Sequence, residues 1–149
     1  MPQFKKSGDH KFDFWLIDES PVMSMIPGNT IPGISVDTNI VLQVGNMSFG
    51  EQHILNRHGK WLHKHQPDGC VATFVHKKLS GSGKIVQLDE SKTGLALTIH
   101  PSAALILKHF EDKNYFSVTT IYYKERLVGD EVGRYLGHEW ATKPFIRRG

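Results

Sequence analysis

Ala104-Leu105-Ile106-Leu107-Lys108-His109-Phe110, then Glu111-Asp112-Lys113-Asn114, then Tyr115-Phe116-Ser117-Val118-Thr119-Thr120-Ile121-Tyr122-Tyr123 is the stretch on which the fold turns. β-Branched, aromatic and leucine side chains crowd both flanks, and four polar residues separate them. That is the pattern of two strands folded back on each other. The same signature stands just upstream, where Ile85–Leu88 and Leu95–Ile99 flank Ser91-Lys92-Thr93-Gly94. Two hairpins in succession predict four antiparallel strands.

Ahead of them the periodicity changes. Val71, Phe74, Val75 and Leu79 recur at helical spacing after the turn signal Pro67-Asp68-Gly69. Earlier still, Ser48-Phe49-Gly50-Glu51 matches the S-x-x-E capping box, in which the hydroxyl and the carboxylate each meet an orphan N–H. It predicts a helix from there to about His58, with Gly59 as its C-terminal cap. Ile40–Val44 reads as one short strand. The order, helices followed by a run of strands, predicts an α+β fold: N-terminal helices and then a four-stranded antiparallel β-sheet. Residues 1–39 read as a poorly periodic lead-in, broken by Pro21, Pro27, Gly28, Asn29, Pro32 and Gly33. Phe12, Phe14 and Trp15 alternate with polar residues as one short strand would. Residues 40–149 read as a single α+β domain of catalytic type. Its last part, 129–149, is a further loop or short strand plus a basic tail.

The bulk numbers agree with one ordinary domain. The chain has 149 residues, 39% of them hydrophobic and 22% charged, enough to bury a core without covalent staples. The net charge of +3, with nine histidines in reserve, suits a phosphate-bearing partner. A single cysteine, Cys70, excludes an internal disulfide and a cysteine-rich zinc site. The longest apolar run, Ala103–Leu107, is far too short to span a membrane. The first residues lack the apolar stretch of a signal peptide. We expect a cytoplasmic site of action, reached directly or by delivery from a larger secreted or phage protein.

The chemistry gathers on the first helix. At 100° per residue, His53, Arg57 and Lys60 share a cationic stripe, with Ile54, Leu55, Trp61 and Leu62 on the apolar stripe beside it and His58 among them. An imidazole exchanges protons near neutrality, and a guanidinium forks onto phosphate oxygens. Together they suit phosphodiester cleavage without a metal. The plain alternative is an exposed polar helix face, with His58 a packed histidine. No metal site is expected: His53 and His58 are spaced i,i+5 rather than i,i+4, and His63-x-His65, read on a strand, has no third ligand. Gly81-Ser82-Gly83-Lys84 lacks the spacing of a P-loop. No cofactor is expected.

Gly50-Glu51-Gln52-His53-Ile54-Leu55-Asn56-Arg57-His58-Gly59 resembles the G-x-x-H-I-x-x-R/K-H-G helix of the phage and polymorphic-toxin branch of the barnase/EndoU/colicin/RelE-like ribonucleases. Phe116–Tyr122 is similar to that group's closing strand, a hydrophobic run ending in V-T-x-Y. The resemblance covers about residues 40–124. It implies metal-independent cleavage of RNA, tRNA among the candidates, by attack of the 2′-OH to leave a 2′,3′-cyclic phosphate. Because an active intracellular ribonuclease would poison its producer, we also expect a cognate acidic inhibitor, antitoxin or immunity protein. Carried over, His53, Arg57 and His58 match the helix positions, and Thr120 with Tyr122 the strand. Strict alternation puts Thr120 and Tyr122 on the face of Phe116 and Val118, and Ser117 with Thr119 on the other. Lys60, Ser117 and Thr119 are then candidates for holding substrate, the two strand hydroxyls also standing in for Thr120. A non-catalytic phage accessory or immunity-type binding module would use the same basic face. A transferase on a related toxin fold is a third reading.

Overall fold

The computed structural model describes residues 3–68, 70–88, 94–99, 103–122 and 129–137. Two short strands, β1 (Phe4–Lys6) and β2 (Trp15–Ile17), pair antiparallel as a separate ribbon. The other seven strands form one sheet. They are β3 (Ser24–Ile26), β4 (Thr38–Val41), β5 (Gly83–Leu88), β6 (Gly94–Ile99), β7 (Ala103–Phe110), β8 (Tyr115–Tyr122) and β9 (Gly129–Tyr135). Their order is β3-β4-β8-β7-β6-β5-β9. Helices α1 (Gly50–His65) and α2 (Val71–Lys78) lie between β4 and β5 in the chain.

This corrects the expected architecture. The strand pairs of both expected hairpins form and supply β5 to β8, all antiparallel neighbours; the turn residues Ser91, Lys92 and Thr93 lie outside the described residues. The sheet does not stop there, and the helices do not come first. β4 joins β8 in parallel, and β3 extends that edge. A parallel pair needs a long crossover, and here both helices and three strands lie within it. At the other edge β9 pairs with β5. The protein is therefore mostly β, with four strands before the first helix.

Cross-strand rows show which face is the core. Ile85, Leu97, Leu105 and Ile121 are successive partners, as are Leu95, Leu107 and Val118, and all are buried. α1 adds Ile54 and Leu62 to this cluster; α2 adds Val71, Phe74 and Val75. The α2 segment is helical where its spacing predicts. The sheet curls until its edge strands meet. The Ser24 hydroxyl of β3 donates to the Tyr135 oxygen of β9, and the Tyr135 hydroxyl donates to the Leu79 carbonyl at the end of α2. Burial pushes the Tyr135 phenol pKa up, opposed in part by the Ser24 bond.

Candidate functional site

Helix α1 begins differently from its expected capping box. Phe49 is the N-cap and makes no side-chain capping bond. The Ser48 N–H is taken by Asn46 Oδ1 at 2.8 Å. The strand end does the capping instead: Glu51 N–H donates to the Gln43 carbonyl and Gln52 N–H to the Val44 carbonyl, each at 3.0 Å. Such close return needs left-handed backbone at Gly45 (φ +75°) and Gly50 (φ +77°). A Cβ on Gly45 would meet the Phe49 carbonyl oxygen. Two orphan donors are thus satisfied by main chain, which leaves the hydroxyl and carboxylate of the motif without that task.

Gly59 does not end the helix. α1 continues to His65 across a kink at His58, whose φ of −129° and ψ of 16° are not helical. Ile54 and Leu62 are buried, while Leu55, expected on the apolar stripe, is 39% exposed. Lys60 lies beyond the kink and exposed, so it no longer continues the straight stripe of His53 and Arg57. His63 and His65 lie on the helix rather than on a strand. Two positions apart there, they point about 200° away from each other, so they cannot chelate together. His65 instead stacks on Trp61, centroids 4.3 Å apart, with its Nδ1 bonded to the Trp61 carbonyl at 3.0 Å.

His53, Arg57 and His58 do come together. His53 Nδ1 lies 2.7 Å from the Met47 carbonyl oxygen. A carbonyl only accepts, so Nδ1 carries the proton and Nε2 is the nitrogen left to exchange one. Arg57, one turn on, is exposed and has neither an ion pair nor a hydrogen bond among the described residues. His58 is half-buried. Its burial, then the charges of Arg57 and His53, hold its pKa below the ordinary imidazole value of 6.5. Along the chain, residues 52–88 hold Arg57, Lys60, Lys64, Lys77, Lys78 and Lys84 against one acid, Asp68, with Glu51, Asp89 and Glu90 just outside. Five of the nine histidines lie there too. Asp68 itself is occupied with structure. Its carboxylate accepts from the Cys70 N–H and the Gln66 amide, which hold its pKa down.

The strand candidates are placed elsewhere. The β7–β8 register shifts between Ile106 and Leu107, leaving Thr119 as an extra residue opposite no partner. This bulge flips the alternation. Thr120 lies in the row of Val86, Ala96 and Ile106, on the face away from Phe116 and Val118, contrary to expectation. Helix α1 packs its apolar residues into the opposite face. Thr120 Oγ1 is buried with no hydrogen-bond partner among the described residues. The Thr119 hydroxyl donates to the Ile106 carbonyl at 3.2 Å, and the buried Ser117 hydroxyl donates to Gln43 Oε1 at 2.9 Å. Both are structural bonds. Tyr122 pairs through its backbone with Ala104; its side chain lies outside the described residues.

One feature of the site had no place in the motif. The loop before α1 exposes Met47, and the nearby Phe12 is exposed as well. The available signal was two apolar residues, Met47 and Phe49, inside a turn otherwise made of Gly, Asn and Ser. Among the described residues no group of three or more His, Cys, Asp or Glu lies together as a metal site would, and no helix is long and apolar enough to cross a membrane. No protein-family model, no curated protein and no solved structure matches this chain.

Proposed function

We propose that the chain is a metal-independent endoribonuclease that acts through His53, Arg57 and His58. The carrying observation is two imidazoles in unlike environments on either side of an uncommitted guanidinium. His58, held toward its neutral form, takes the proton of an RNA 2′-OH. The 2′-oxygen attacks phosphorus, the bond to the 5′-oxygen breaks, and His53 Nε2 delivers a proton to that leaving oxygen. Arg57 forks onto the non-bridging oxygens, where charge builds in the transition state. The products are a 2′,3′-cyclic phosphate and a 5′-hydroxyl. Neither Ser117 nor Thr119 has a part in this scheme, since their hydroxyls are already bonded. Thr120 has none either, because it faces the other way.

The site of action that goes with this reading is the cytoplasm, with tRNA a candidate substrate. An enzyme of this kind endangers its producer, so an inhibitor protein with an acidic face over α1 belongs to the proposal; its binding weakens as salt rises. The test is incubation of the pure protein with total RNA in excess chelator. We expect discrete fragments with cyclic phosphate ends, while DNA and RNA 2′-O-methylated at the cleavage site stay intact. Cleavage of the matching DNA would sink the mechanism. Among the described residues the hydroxyls of Ser117 and Thr119 are bonded within the sheet and Thr120 lies on the face away from α1, which favours a second reading, a module that binds RNA through the same cationic helix without cutting it. Salt-sensitive RNA binding with no fragments under any condition would establish that one.

A further inference from the structure

The turn at residues 10–13 and the loop at residues 45–50, whose Met47 carbonyl meets the His53 ring, expose apolar side chains. Phe12 is 53% exposed and Met47 62%. The Phe12 ring stacks on Phe49 with centroids 6.0 Å apart and planes 28° from parallel. The His10 ring lies 5.5 Å away, tilted by 48°. Lys11 Nζ stands 5.2 Å from the Phe12 centroid. None of this is loosely held. Gly45 N–H donates to the Lys11 carbonyl at 2.9 Å and Val44 N–H to the Asp13 carbonyl at 2.8 Å. The main chain of Met47, in turn, holds the His53 ring. An aromatic platform, a cation beside it and a proton-transfer group therefore share one short, braced loop system.

We infer that Phe12, Phe49 and Met47 form a base subsite that takes one unpaired nucleobase of the RNA strand. The inference rests on the ribonuclease reading of His53 and Arg57 and names the substrate form it acts on. Every base offers a flat face, so stacking on an exposed ring is strong and tolerant of sequence. A base inside a duplex is already stacked on its neighbours and cannot reach such a ring. Lys11 stands at the ring, and Arg57 lies on α1 one helical turn beyond His53. They meet the phosphates that adjoin the stacked base. The site accordingly selects single-stranded RNA, loops and ends over continuous helix.

The experiment uses a fluorescent 2′-O-methyl oligonucleotide, which 2′-oxygen attack cannot cut. Its binding is measured as a single strand and as a duplex, beside cleavage of the unmodified strand. We expect tighter binding of the single strand. Phe12→Leu should weaken it about 5- to 150-fold, the range given by one base–aromatic stack, with duplex binding and the melting temperature unchanged. Phe12→Trp should retain it, and Met47→Gln should weaken it independently. Equal single-strand affinity in wild type, Phe12→Leu and Met47→Gln overturns the subsite, and the ribonuclease reading then stands or falls on wild-type cleavage alone. Loss of affinity in Phe12→Leu, with no cleavage by wild type, keeps the subsite and removes the enzyme. No single-strand binding by wild type at low salt overturns the subsite directly.

Discussion

At the scale of single residues, Arg57 and His58 lead to distinct expectations. An exposed guanidinium that stabilises only the transition state is missed in kcat. Arg57→Ala should lower turnover about 100-fold, as loss of one oxyanion donor does elsewhere. Arg57→Lys should recover little, because an ammonium cannot fork onto two oxygens. Single-turnover cleavage of a saturating RNA strand measures both, and full activity in a folded Arg57→Ala protein refutes the role. For His58 the observable is stability. Its pKa is lowered in the folded chain, first by burial and then by Arg57 and His53. The unfolded chain therefore binds that proton more readily. The contribution is complete above the ordinary imidazole value and is lost as pH falls through the depressed folded value. Melting curves between about pH 8 and pH 5 should show a shallower acid loss in His58→Gln than in wild type. Parallel curves would mean that His58 is not held neutral by the fold.

At the scale of elements, the kink in α1 sets the geometry of the site. The break at His58 separates the half that carries His53 and Arg57 from the half that carries Lys60, Trp61 and Leu62. Gly59 follows the kink, yet nothing among the described residues lies within 4 Å of where its Cβ would stand, and its φ is not left-handed. Glycine is thus a cost here rather than a requirement. Gly59→Ala should stabilise the protein by about 0.5–1 kcal/mol, through reduced freedom of the unfolded chain and better helix propensity. Chemical denaturation reads this as a higher midpoint at constant slope. Destabilisation would show that the kink depends on Gly59 after all. The bulge at Thr119 has comparable reach. One unpaired residue turns Thr120 away from the core face, and no count of alternation along Phe116–Tyr122 reveals where a bulge falls.

At the scale of the whole molecule, a buried phenol links the two edges of the curled sheet. Tyr135 joins β9, β3 and the end of α2, accepting from Ser24 and donating to the Leu79 carbonyl. All three groups are buried. Tyr135→Phe leaves a hydroxyl and a carbonyl without their partner, at a cost of about 1–3 kcal/mol. The denaturation midpoint should drop accordingly, and an unchanged midpoint would show that the two edges hold without this link. Charge is unevenly spread along the chain. Residues 52–88 hold six lysines and arginines against one acid, whereas residues 1–51 hold three lysines against six acids.

Local pattern determined the parts of this protein that local physics governs. The strand pairs β5–β6 and β7–β8, the α2 spacing and the His53/Arg57 pair on one helix face could all be read from residues within about two turns or one hairpin of each other. Tertiary structure alone decided the rest. β3 is three residues between Pro21 and Pro27, too short for any periodicity, and exists because β4 offers it an edge. The parallel partnership of β4 and β8 joins residues more than seventy positions apart. The capping of α1 by Gln43 and Val44 displaced a legible capping box, since two glycines let the strand end reach the helix first. The Phe12 platform arose the same way, from main-chain bonds between segments 10–13 and 43–45. Such contacts depend on which distant backbone groups become neighbours when the sheet curls, and no stretch of sequence carries that information by itself.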